Sequence, residues 1–81
     1  MKKDIVVFRK YRNGDIIALF PFMNEGLNMC NSYMHIGQHG SADYNLVVSG
    51  TKPASKEEYA DLFEELKQIG YNMEIRERKN A

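Results

Sequence analysis

Asn13-Gly14, set between two runs rich in β-branched and aromatic residues, constrains this chain more than any other feature. Ile5 to Tyr11 and Asp15 to Phe22 read as strands, and Asn-Gly is a favoured pair for the two-residue type I′ turn that joins antiparallel strands. Such a turn sets Arg12 opposite Asp15, Lys10 opposite Ile17 and Phe8 opposite Leu19. Val6, Phe8, Ile17 and Leu19 then share one face, and Val7, Tyr11, Ile16, Ala18 and Phe20 share the other. A bulged turn would slip the register by one and redistribute the faces. Both faces are substantially apolar, which implies that the second strand is central or that a loop or partner covers the sheet's back.

The second strong signal is helical. Ser55 and Glu58 form a capping box, Pro53 ends the preceding segment, and Glu57 and Glu58 lie where the helix dipole favours carboxylates. Tyr59, Leu62, Phe63, Leu66 and Ile69 follow at helical spacing as one apolar stripe, and Gly70 supplies the left-handed stop with Tyr71 placed for a capping contact. The spacing predicts a helix from Lys56 to Ile69, packed on the face that bears Val6 and Phe8.

Between hairpin and helix the signals are shorter. Pro21 to Asn31 reads as loop around Asn24-Glu25-Gly26, Ser32 to Ile36 as a third strand, and Gly37 to Ser41 as a break. Tyr44 to Ser49 is either a fourth strand, favoured by Leu46-Val47-Val48, or one helical turn capped by Ser41. Met73 and Ile75 alternate with polar residues as a closing strand. The 81 residues thus predict a single α+β domain, an antiparallel-rich sheet of four or five strands with one helix on a face, in the order ββ(β)βαβ.

A domain of this size buries only about 60% of the surface of its unfolded chain, so its core is thin and self-association would matter to its stability. A homodimer is one expected way of covering the hairpin's second face. The apolar run Ile5 to Phe8 is too short for a signal peptide or a membrane span, and the one cysteine cannot form an intrachain disulfide. Together these features predict a cytoplasmic setting with no membrane partner.

Formal net charge is zero, but its distribution is uneven. Lys2, Lys3, Arg9, Lys10 and Arg12 make the start basic, Arg76, Arg78 and Lys79 make the end basic, and the helix is acidic. If the last strand pairs with the first, Lys10, Tyr11, Arg12, Arg76 and Arg78 become an aromatic among cations, the composition of a nucleic-acid stacking platform. Charged strands also defend sheet edges against aggregation, which is the plainer reading.

Tyr33 to Tyr44 concentrates chemistry-bearing side chains. His35, His39 and Asp43 recur every four residues, a metal-ligand spacing on a helix, yet Gly37 and Gly40 oppose a helix there. Cys30 with a histidine would be a thiol pair, but a lone cysteine among methionines is more often an apolar filler. Ser41, His39 and Asp43 lack the surroundings of a hydrolase motif, and phosphate-loop and dinucleotide fingerprints are missing. No cofactor, metal or catalytic residue is implied. Tyr33, His35, His39, Asp43 and Tyr44 are the candidate partner-binding residues, because conformationally special segments on a rigid scaffold tend to carry contacts.

The strings Asp15-Ile16-Ile17-Ala18-Leu19-Phe20-Pro21, Ser32-Tyr33-Met34-His35-Ile36-Gly37-Gln38-His39-Gly40 and Thr51-Lys52-Pro53-Ala54, followed by Glu57-Glu58-Tyr59, carry a resemblance. From Ile5 to Ile75 the chain resembles a family of short proteins from gut bacteria of the Bacteroides kind and from their phages and mobile elements. The resemblance implies a cytoplasmic protein and transfers no activity, cofactor or site residue. For a protein carried on a mobile element, it favours a small partner-binding or inhibitory role over a metabolic one. The sequence therefore leads to a non-enzymatic interaction or regulatory module with a protein partner. The alternatives are a nucleic-acid-binding accessory protein that uses the basic strands, and a small metal-dependent or thiol enzyme.

Overall fold

A computed structural model describes residues 3–24, 29–34 and 38–77, without the side chains of Asn24, Gln38 and His39. Strand β1 (Asp4–Lys10) and strand β2 (Ile16–Asn24) form the expected hairpin, but its register is shifted by one residue. The Gly14 N–H donates to the Tyr11 carbonyl at 2.9 Å, the Tyr11 N–H donates to the Asp15 carbonyl at 2.8 Å, and Gly14 carries the positive φ of +97°. These bonds close a three-residue loop with a left-handed glycine, where a two-residue type I′ turn was expected. Lys10 consequently faces Ile16, Phe8 faces Ala18 and Val7 faces Leu19. Phe20 and Ala18 join Val6 and Phe8 on one face, while Ile17 and Leu19 join Val7 on the other.

The sheet continues through strand β3 (Met29–Met34) to strand β4 (Gln38–Asp43), with a register shift after Phe20. Two expectations fail in this region. Residues 23–24 and 29–31 are strand where only loop was predicted, and the break at Gly37 to Ser41 is, from Gln38 on, the strand β4. All six residues of β4 pair in register with β3, and this continuous ladder outweighs the weak strand preference of Gly40.

Tyr44 to Ser49 is the helix α1, not a strand. Its cap is Asp43, whose carboxylate accepts the Leu46 N–H at 3.2 Å, so Ser41 does not fill that role. Strand β5 (Lys52–Pro53), absent from the sequence reading, pairs antiparallel with the C-terminal half of β1. Helix α2 (Lys56–Ile69) follows with the expected reciprocal Ser55–Glu58 capping box. At its end the Gly70 N–H donates to the Lys67 carbonyl and the Tyr71 N–H to the Leu66 carbonyl, with Gly70 at φ +122°, which together make a Schellman stop. Strand β6 (Met73–Arg76) then runs parallel to the N-terminal half of β1, with Asp4 opposite Met73 and Val7 opposite Arg76. The order across the sheet is β4-β3-β2-β1-β5, with β6 beside β5 along the same side of β1.

Each face of the sheet has its own core. Val6, Phe8, Ala18, Phe20 and Tyr33 pack under Leu62 and Leu66 of α2, with Tyr59, Phe63 and Tyr71 at the margin. Phe8 stacks on Tyr59 at 4.4 Å and Phe20 on Tyr71 at 4.8 Å between ring centroids. Tyr71 thus covers the end of the sheet while Ile69, last of the predicted stripe, stays about half exposed. Val7, Ile17, Leu19 and Cys30 form the second core, beneath Tyr44, Val47 and Val48 of α1. The hairpin's second face is therefore covered by the chain's own short helix.

Candidate functional site

Of the segment Tyr33 to Tyr44, Gln38–Asp43 is the edge strand β4. Among the described residues β4 is the terminal strand, and Gly40 and Ser41 at its middle are exposed. The Ser32 hydroxyl donates to the Gly40 carbonyl at 3.0 Å, tying the two strands beyond their backbone ladder. A side chain at Gly40 would meet only the Ser32 Oγ, at an ordinary 3.7 Å, and no positive φ demands glycine there. Along Gln38–Asp43 there is no proline, lysine, arginine or register shift, four features that protect an edge, and its one acidic residue, Asp43, caps α1.

The candidate residues of this segment part company. Tyr33 is buried in the first core, and its hydroxyl donates to the Glu65 carboxylate of α2. Asp43 caps α1, and Tyr44 is half-buried over the second core. His39 pairs through its backbone with Tyr33, and its side chain lies outside the described residues, as does the whole of His35. Cys30 is buried in the second core. Among the described residues no three His, Cys, Asp or Glu side chains gather in a way that could hold a metal ion.

The basic residues are brought together differently from the sequence expectation. β6 does pair with β1, but Arg76 lies level with Val7, three residues or about 10 Å along the strand from Lys10. Its guanidinium bonds the Glu74 carboxylate, with the Nε and Nη2 contacts both at 2.6 Å. Arg78 lies outside the described residues. The cation that does stand opposite Lys10 is Lys52, through the β1–β5 pair. Lys10, Tyr11 and Arg12 line an open cleft of about 480 Å³ together with Lys52 and the α1–β5 turn at Gly50 and Thr51.

Lys10 also reaches Glu58 in the first turn of α2. The Lys10 ammonium, helped by the Ser55 backbone N–H, holds the Glu58 carboxyl at about 2, below its ordinary value of 4.5. A smaller cleft of about 270 Å³ lies where Phe8, Tyr59, Ile75 and Arg76 meet the start of α2.

Sequence reading missed Arg9. It reads as a charged strand residue, yet it is 7% exposed, lying on the face of the second core. Its Nε donates to the Thr51 Oγ1 at 2.9 Å, and its Nη2 donates to the carbonyls of Val48 at 3.0 Å and Thr51 at 2.7 Å. A planar guanidinium fork thereby ties the end of α1 to the central strand. The partners lie about forty positions downstream, so no local pattern could announce them.

Comparisons with protein-family models, with curated proteins and with solved structures return no match. No helix among the described residues is long and apolar enough to cross a membrane.

Proposed function

We propose that this chain is a non-enzymatic protein-interaction module that receives an extended strand of a protein partner along β4. The observation that supports this reading is the β4 edge: six residues in unbroken register with β3, terminal in the sheet among the described residues, with small exposed residues at the centre. Strand addition draws affinity from main-chain hydrogen bonds, and Gly40 and Ser41 let a second backbone approach closely. A partner-binding or inhibitory role of this kind agrees with the mobile-element setting implied by the resemblance of the sequence strings.

A photo-crosslinking residue placed at Ser41, compared with one at Lys67 on the exposed side of α2, tests the proposal. Position 41 should capture the partner from a native extract and position 67 should not. With the captured partner purified, Gly40→Lys and Ser41→Lys should each weaken binding at least about tenfold while leaving the melting temperature nearly unchanged, because a charge on an exposed edge strand opposes pairing without disturbing the interior. Capture from position 67 alone, or affinity indifferent to both lysines, would refute the edge. Crosslinking of the chain to itself would identify the partner as a second copy.

A further inference from the structure

At the opposite end of the sheet, Lys10 and Lys52 face each other across the β1–β5 pair. Like charges directly opposite on neighbouring strands destabilise a sheet, and Glu58 takes up only one of the two ammoniums. Lys52 and Arg12 are exposed and make no ion pair among the described residues. Arg12 and Lys52 thus keep unpaired positive charge at the 480 Å³ cleft, which no carboxylate lines among the described residues, while Asp15 lines the adjoining cleft with Arg12. Tyr11, between Lys10 and Arg12 in the sequence, lines the 480 Å³ cleft. Its ring packs against the second core, while the residue lines both this cleft and the adjoining one of about 470 Å³.

We infer that this cleft binds single-stranded nucleic acid, with a base stacked on Tyr11 and flanking phosphates on Arg12 and Lys52. A lone phosphate needs convergent donors, and the backbone N–H groups of Gly50 and Thr51 in the turn are already engaged. Gly50 donates to the carbonyls of Leu46 and Val47, and Thr51 donates to that of Val48. What the site offers is an aromatic flanked by separated cations, which matches the alternation of base and phosphate in an unpaired strand. In a duplex the bases are stacked on one another and their faces are not offered to Tyr11.

The test is fluorescence anisotropy of labelled single-stranded oligothymidine and oligouridine with the full chain. Two or three phosphate contacts give a slope of log affinity against log salt of roughly −1.4 to −2.1, or a loss of about 7- to 18-fold between 50 and 200 mM salt. Arg12→Ala with Lys52→Ala should flatten that slope by about 1.4. Tyr11→Leu, which keeps an apolar side chain against the core, should weaken binding by about 5- to 150-fold, and Tyr11→Phe should retain it. Lys67→Ala, remote from the cleft, should change nothing. Absence of binding at 50 mM salt would overturn the inference. So would affinity unaffected by Tyr11→Leu, or equal affinity for duplex DNA or for polyphosphate, since each reduces the effect to charge alone.

Discussion

Arg9→Met isolates the contribution of the buried guanidinium, because methionine keeps an unbranched stem of similar reach and removes only the fork. Three hydrogen bonds disappear, to Thr51 Oγ1 and to the carbonyls of Val48 and Thr51. An acceptor stranded in the interior costs about 1–3 kcal/mol. Val48 keeps the Thr51 N–H at 3.4 Å, and both Val48 and Thr51 are only half-buried, so water reaches part of the vacated site. Relief from burying a charge offsets some of the loss as well. The balance is a destabilisation of about 2–3 kcal/mol, against a total of roughly 4–12 kcal/mol expected for a domain of this length. Urea unfolding followed by circular dichroism should show it, with a fall in melting temperature of about 10–20 °C. Amide exchange should rise at Gly50 and Thr51 before it rises in β1. A variant within about 0.5 kcal/mol of the parent, or exchange that rises evenly throughout, would refute the clamp.

Two further perturbations probe the other core and the Lys10 pair. Leu66→Ala removes a fully buried side chain from beneath α2 and should cost about 2–5 kcal/mol in the same unfolding assay; a loss below about 0.5 kcal/mol would mean that the helix presents another face. Glu58→Gln can keep the capping-box hydrogen bond to the Ser55 N–H while removing the ion pair with Lys10. Because the folded carboxyl titrates near 2 and the free one near 4.5, its contribution is full above about pH 5 and is lost as pH falls from 4.5 towards 2. The parent and the variant should therefore differ most near neutrality and converge in acid, and a pH-independent difference would exclude the pair as its source.

Helix α2 was legible because its determinants are local: Ser55 and Glu58 three apart, the stripe from Tyr59 to Leu66, and Gly70 just past the end. The hairpin was legible as a hairpin, but Asn13-Gly14 serves both a two-residue and a bulged three-residue turn, and only the backbone of Gly14 decides which face holds Phe20 and which holds Leu19. α1 was ambiguous because six residues are too few to display a period, and its cap at Asp43 overrides the β-branching of Val47 and Val48. β5 has two residues and exists only by pairing with β1. The candidate site divides along the same line. Lys10, Tyr11 and Arg12 are contiguous and could be read together, whereas Lys52 joins them through a strand pair spanning some forty residues. Tyr33 was readable as an aromatic but not as a core residue, since its burial depends on Glu65 and Leu66 arriving from the far end of the chain.

The parallel pairing of Asp4 with Met73 has a consequence for the order in which this molecule can assemble. β1 to β4 can zip together from near neighbours, but the second edge of β1 waits for segments some forty to seventy residues away, and such distant closures come late. During that interval Ile5, Val6, Val7 and Phe8 form an open, apolar strand edge in an otherwise organised sheet, the kind of surface through which partly folded chains find one another. The strand that ends at the centre of the fold is thus, for a time, its most adhesive margin, and the speed with which β6 docks sets how long the nascent protein remains vulnerable to clumping.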